Sequence, residues 1–131
     1  KAFQDYIRIR DAYKTTGEAE ALRCFTCGRW VRLDGNAHAG HFLPRRTNAS
    51  LFDERNCHGQ CIECNIDKYG NPEAYERNML AEYGQDVIDE LRANDCISIR
   101  YTDGEYDDIA RKYAKMTLRL HELHKMTCKP R

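Results

Sequence analysis

No run of about 18 apolar residues occurs in the 131-residue chain, which excludes a membrane-spanning helix. No stretch carries a signal-peptide pattern or a lipidation motif. No repeat, linker or low-complexity segment divides the chain, so a single domain over 1–131 is expected. Net charge is absent too, with 21 basic residues against 21 acidic. That balance would argue against a polyanionic partner only if the charges were evenly mixed, and they are not. Residues 1–60 hold ten Lys/Arg and seven Asp/Glu, residues 61–110 four and thirteen, and residues 111–131 seven and one. Between Arg23 and Arg46 five arginines face Asp34 alone. Such clustering offers a polyanion a local positive face at zero net charge; an ordinary mixed surface is the competing reading. The chain begins at Lys1 rather than Met, as expected of a piece trimmed from a longer chain.

What is abundant is cysteine, seven in all. An odd count without a secretory signal speaks against a disulfide framework. Four of the seven form two matched pairs, Cys24-Phe-Thr-Cys27 and Cys61-Ile-Glu-Cys64. A two-residue gap lets both sulfurs of a pair reach one ion, and zinc takes four thiolates tetrahedrally. A structural Zn²⁺ on Cys24, Cys27, Cys61 and Cys64 is therefore expected, closed to water and so not itself catalytic. Cys57, Cys96 and Cys128 lack matching partners and read as buried small hydrophobes or free thiols.

Apolar periodicity marks the helices. Phe3, Tyr6, Ile7, Arg10 and Tyr13 predict a helix over 1–15, ended by Thr15-Thr16-Gly17. Residues 29–33 predict a strand, a turn at Asp34-Gly35-Asn36, and a return arm reaching His41, together a β-hairpin. A helix is expected from about Cys61 to Tyr69. Pro72 then opens another with Asn71 as cap, and Gly84 divides the pattern that runs to 93. Residues 96–101 read as a strand or extended connector. A long helix over 105–126 carries the stripe Ile109, Tyr113, Met116, Leu120 and Leu123, which fills the core or forms a homodimer. Its row Arg111, Lys115 and Arg119 suits a DNA backbone or is a solvated face. His121 and His124 are expected on its polar side. The fold class is α+β: an N-terminal helical segment over 1–22, a zinc-framed core over 23–71 and a helical part over 72–131.

Three further groups sit between and beside the cysteine pairs: His41-Phe-Leu-Pro44, Asn56 five residues before Cys61, and Asn65 directly after Cys64 with Lys68 three positions on. In order and spacing they resemble the HNH endonucleases with two zinc knuckles. The opening Ala2-Phe3-x-x-Tyr6-Ile7-Arg8-x-Arg10-Asp11, Ala39-Gly40-His41-Phe42, the run from Phe52 to Cys61, and Lys68-x-Gly70-Asn71 resemble the phage NinG (Rap) recombination nucleases, over roughly residues 2–91. The resemblance implies a small HNH-like ββα core held by zinc and ringed by helices. It implies a structure-directed endonuclease cutting Holliday junctions and D-loops in the cytoplasm of a bacterial host.

An imidazole suits removal of a proton from water near neutral pH, and His41 is the candidate base. A divalent Mg²⁺ or Mn²⁺ ion suits the charge on the phosphate and the leaving oxygen, with the Asn65 amide oxygen as a hard ligand. By the family pattern Asn56 orients the hairpin carrying His41. Arg45, Arg46 and Lys68 are candidates to grip phosphates. The departure from the pattern is Gly40, where many HNH enzymes place an Asp or His that ligates the metal; His38 or His58 are candidate substitutes, or His41 is itself the ligand. The alternatives are a non-catalytic zinc module binding branched nucleic acid and an HNH nuclease without junction preference. A homodimer would match the two-fold symmetry of a four-way junction.

Overall fold

The first fifteen helical positions bury Phe3, Tyr6, Ile7, Asp11 and Ala12 on one side, which is why α1 (Ala2–Thr16) forms where the periodicity places it. It stops at Gly17, whose φ of 79° is open to glycine and whose N–H caps the Tyr13 carbonyl at 3.0 Å. The computed structural model describes residues 1–43 and 49–127. In order, α1 is followed by β1 (Ala21–Arg23), β2 (Trp30–Arg32), β3 (Ala37–His41), a 3₁₀ turn (Glu54–Asn56) and β4 (Cys57–Cys61). A π-wound turn (Glu63–Asp67), α2 (Pro72–Tyr83), α3 (Gln85–Asn94) and α4 (Asp103–Thr127) complete it. The class is α+β with two small antiparallel sheets.

The strand pairing departs from the expected hairpin. The turn after Leu33 is present, but β2 pairs with β1 and β3 pairs with β4. The residues before the first knuckle, expected to belong with the N-terminal helix, are a strand that the knuckle folds back onto Trp30–Arg32. The first Cys pair is thus the tip of a hairpin, closed by Cys24 N–H to Arg29 O at 2.8 Å and Gly28 N–H to Cys24 O at 2.9 Å. The helix expected from about Cys61 follows β4, which ends at Cys61, but over Glu63–Asp67 it is wound wide: Lys68 N–H reaches Glu63 O at 2.9 Å. Pro72 opens α2 and Gly84 separates it from α3 as expected. Residues 96–101 form a connector outside both sheets.

Apolar packing is divided among small clusters. Phe3, Tyr6, Ile7 and Cys57 meet Tyr113, with Ile109, Met116 and Leu120 against them, so the α4 stripe packs on α1 as far as Leu120, while Leu123 is exposed. Tyr75, Met79, Ile88 and Leu91 join α2 to α3, and Ala12, Leu22 and Ala37 fill the space below the first hairpin. Polar side chains lock α1 to β4: Arg10 donates to Asp11 and to the carbonyls of Glu54 and Cys57, each at 2.8 Å, and Asp11 accepts from Gly59 N–H at 2.7 Å. No helix among the described residues is long and apolar enough to cross a membrane.

Candidate metal centre and flanking site

The two cysteine pairs meet where the tip of the β1–β2 hairpin touches the end of β4. The four Sγ atoms lie within 4.8 Å of one another, and Cys27 Sγ is 3.7 Å from Cys61 Sγ. Tetrahedral bonds of about 2.3 Å to zinc would set sulfurs about 3.8 Å apart, so the cluster fits a zinc ion. Burial opposes the Cys24 thiolate, but the Thr26 hydroxyl and backbone N–H groups outweigh it and bring its pKa to about 6. Burial and the adjoining Cys64 and Cys24 sulfurs push Cys61 up to about 12. Four adjacent thiolates need a cation to offset their charge. Cys64 N–H to Cys61 Sγ at 3.4 Å and Asn71 Nδ2 to Cys64 Sγ at 3.5 Å supply supporting donors. Asn71 precedes α2 as expected, but its side chain serves the sulfur and not the helix end.

From this cluster the chain runs along β4 beside β3. The register sets His38 opposite Gln60, Gly40 opposite His58 and His41 opposite Cys57. Alternation puts Ala37, Ala39 and Cys57 toward α1 and its neighbours, and His38, Gly40, His58 and Gln60 toward the π-turn and α2. On that second face Asn65 Nδ2 is 2.9 Å from His38 Nδ1. A Cβ placed on Gly40 would lie 2.8 Å from Asn65 Oδ1 and 1.8 Å from Gln60 Oε1.

His41 ends β3 on the other face, in a recess of about 430 Å³ lined by Lys1, Phe3, Gln4, Leu51, Phe52 and Tyr106. Its Nε2 faces the Leu51 carbonyl at 3.0 Å. A carbonyl only accepts, so Nε2 carries the hydrogen and Nδ1 is the basic nitrogen of the neutral ring. Asn56 is fully buried. Its Oδ1 accepts from Leu43 N–H at 2.9 Å, and its Nδ2 donates to the carbonyls of Leu43 and Ser50 at 3.4 and 3.3 Å. It therefore pins both sides of the segment that follows His41. His38 and Asn65 come together, while His41 and Asn56 form a separate group across the strand.

The remaining candidates fall out variously. His58 is buried between Phe25, Tyr75 and Tyr83. Its Nδ1 donates to the Tyr75 oxygen at 3.2 Å, Tyr75 passes its own hydrogen to Gly40 O at 2.6 Å, and Tyr83 donates to Nε2 at 2.7 Å. Both ring nitrogens are engaged, so this geometry offers neither to a metal. Burial, with Arg10 and Lys14 nearby, lowers its pKa to about 2. Lys68, Arg111, Lys115 and Arg119 are exposed, with Arg111 paired to Asp108 and Arg119 to Glu122 at 3.6 Å. Arg45, Arg46 and Cys128 lie outside the described residues. Cys57 is buried and Cys96 exposed. His121 and His124 are not on an open polar face: both rings contact Tyr13 of α1, His124 stacked at 4.5 Å. Sequence reasoning missed Gln60, Thr26 and Tyr75. Only Gln60 left a trace, its place one residue before the second knuckle.

No solved structure matches the chain. Protein ninG of Escherichia phage 933W is 35% identical over 95 residues, that of Escherichia phage lambda 34%, and that of Enterobacteria phage H19B 42%. In each case the match covers 72% of this chain and 42% of the relative, so the chain spans well under half of the proteins it matches. The family model described as bacteriophage lambda NinG protein matches residues 1–125, extending the similarity past residue 91 and through most of α4. The chain belongs to the NinG family.

Proposed function

We propose that the chain is a divalent-metal-dependent DNA endonuclease that cuts branched recombination intermediates, Holliday junctions and D-loops among them, through an HNH-like ββα unit made by β3, β4 and the π-turn. The observation that carries this reading is the relation of three positions. Residue 40 faces Asn65 across 2.8 Å from its Cβ position, and the next residue, His41, stands at the strand end on the alternate face. In this reading residue 40 and Asn65 serve one ion, and His41 approaches the same phosphate from the alternate face at the strand end. Asn65 Oδ1 is a hard oxygen donor and fits Mg²⁺ or Mn²⁺. Such an ion would supply charge neutralisation at the phosphate and the leaving oxygen.

The protein's own part follows from the geometry. Leu51 O holds the His41 ring with Nδ1 basic, the state a general base needs to take a proton from water. Asn56 positions the His41 segment by its three hydrogen bonds. Lys68 and Lys115 are exposed cations, Arg111 and Arg119 would exchange their exposed carboxylate partners Asp108 and Glu122 for phosphates, and Arg45 and Arg46 complete the proposed contact set. A homodimer would present two such sites to a two-fold symmetric junction.

A non-catalytic zinc module that binds branched DNA is the second reading, favoured by Gly40, which has no side chain to ligate a metal. Cleavage of a four-way junction, a D-loop, a flap and a plain duplex with Mg²⁺ and with Mn²⁺ separates the readings. The proposal expects the branched forms to be cut first. Equal cutting of the duplex would leave a nuclease without junction preference, and binding without cutting in either metal would leave the module.

A further inference from the structure

We infer that Gln60 supplies the ligand that residue 40 lacks: its Oε1 joins Asn65 Oδ1 in an oxygen site for the divalent cation, an inference that rests on the nuclease reading above. Gln60 is 0% exposed, and its Oε1 is the buried side-chain polar atom left without a hydrogen-bond partner among the described residues. A buried amide oxygen left so lacks compensation for its lost water. The amide is not simply turned over. Its Nε2 donates to Gly70 O at 3.0 Å and to Thr26 Oγ1 at 3.1 Å, and the Gly70 carbonyl can only accept. Oε1 is therefore held toward Gly40 and Asn65.

Gly40 and Gln60 are complementary. Gly40 is not among the positive-φ glycines, so its backbone does not demand glycine. With Gln60 held as it is, space does, because a Cβ would meet Gln60 Oε1 at 1.8 Å. The side chain absent from one strand is replaced by one arriving from the other. Asn65 Nδ2 toward His38 Nδ1 turns Asn65 Oδ1 to the same place. The result sorts two metals along one ribbon: soft thiolates at its end for zinc, and neutral hard oxygens beside Gly40 for a Mg²⁺-like ion. A pair of uncharged ligands binds such an ion weakly alone and needs substrate phosphate to complete the charge.

The test uses the zinc-loaded, ¹⁵N-labelled chain titrated with Mn²⁺, alone and with an uncleavable four-way junction. The expected result is broadening of the Gln60 and Asn65 side-chain NH₂ signals and the Gly40 N–H before other signals, at lower Mn²⁺ when the junction is present, with reversal by Mg²⁺. Gln60→Met, which removes the oxygen at similar volume, should weaken this at least about tenfold with zinc content unchanged. Sharp Gln60 and Asn65 signals at Mn²⁺ levels that support cleavage would overturn the ligand assignment and leave the nuclease reading standing; an amide–amide hydrogen bond, with Asn65 turned over, gives that result. Selective broadening in a chain that cuts no DNA would do the reverse. Neither broadening nor cleavage would overturn both.

Discussion

Two buried residues carry much of the local order around β4, and each makes a separable prediction. Asn56 uses its carboxamide on Leu43 and Ser50, so Asn56→Ala strands those groups and loosens the segment after His41. Urea unfolding should show a loss of about 1–3 kcal/mol; a loss under about 0.5 kcal/mol would mean the clamp is not needed. His58 is held neutral, its pKa lowered to about 2 by burial first and by Arg10 and Lys14 second. The folded state therefore refuses a proton that the unfolded chain accepts near its ordinary value of about 6.5. Stability from this residue is whole above that value and falls as pH drops toward 2, by up to about 1.4 kcal/mol per unit. Comparing unfolding of the wild type and His58→Gln at about pH 7, 6 and 5 isolates the effect, because both keep the zinc ligands. Parallel pH profiles would refute it.

At the scale of elements, the knuckle hairpin β1–β2 is a three-residue strand pair whose apolar backing is little more than Ala12, Leu22, Ala37 and Val31. Isolated pairs of that size are marginal, so a zinc ion on the thiolate cluster would add to the bonds that close the hairpin onto β4, Phe25 N–H to Gly59 O at 2.8 Å among them. Removing the metal with a strong chelator should abolish the ordered knuckle and shift the emission of Trp30, the sole tryptophan, which is 49% exposed at the start of β2. Unchanged emission and unchanged unfolding after verified zinc loss would contradict that role. The same elements show why strand pairing was hard to read from sequence. Helices carry their period locally: Phe3, Tyr6 and Ile7 announce α1, and Pro72 and Gly84 delimit α2. Strand partners do not: Ala21–Arg23 is too short to show alternation, and β4 reads as a knuckle approach. The pairing of Ala37–His41 with Cys57–Cys61 depends on contacts across some twenty residues.

For the whole molecule, α1 is the common floor. Its apolar side receives Tyr113 of α4, and Arg10 and Asp11 hold β4 from the same helix. The α4 stripe is legible in sequence as apolar, but its choice between core and dimer is a tertiary matter that only packing decides. The candidate site was legible in the same uneven way. The cysteine quartet follows from spacing, and His41, Asn56 and Asn65 from pattern. The split of His41 from Asn65 across the ribbon follows from register, and the filling of the Gly40 space by Gln60 from the side-chain bonds to Gly70 and Thr26 that aim it across the strands. What unites these parts is the claim that the zinc-framed ribbon presents His41 as a base at the strand end and a metal-binding carboxamide on the alternate face. Single-turnover cleavage of a four-way junction by the wild type and by His41→Ala, at matched zinc content and matched junction binding, tests that claim most directly. A loss of about 10²–10⁴-fold in rate with binding unchanged is expected. A variant that cuts as fast as the wild type would contradict it.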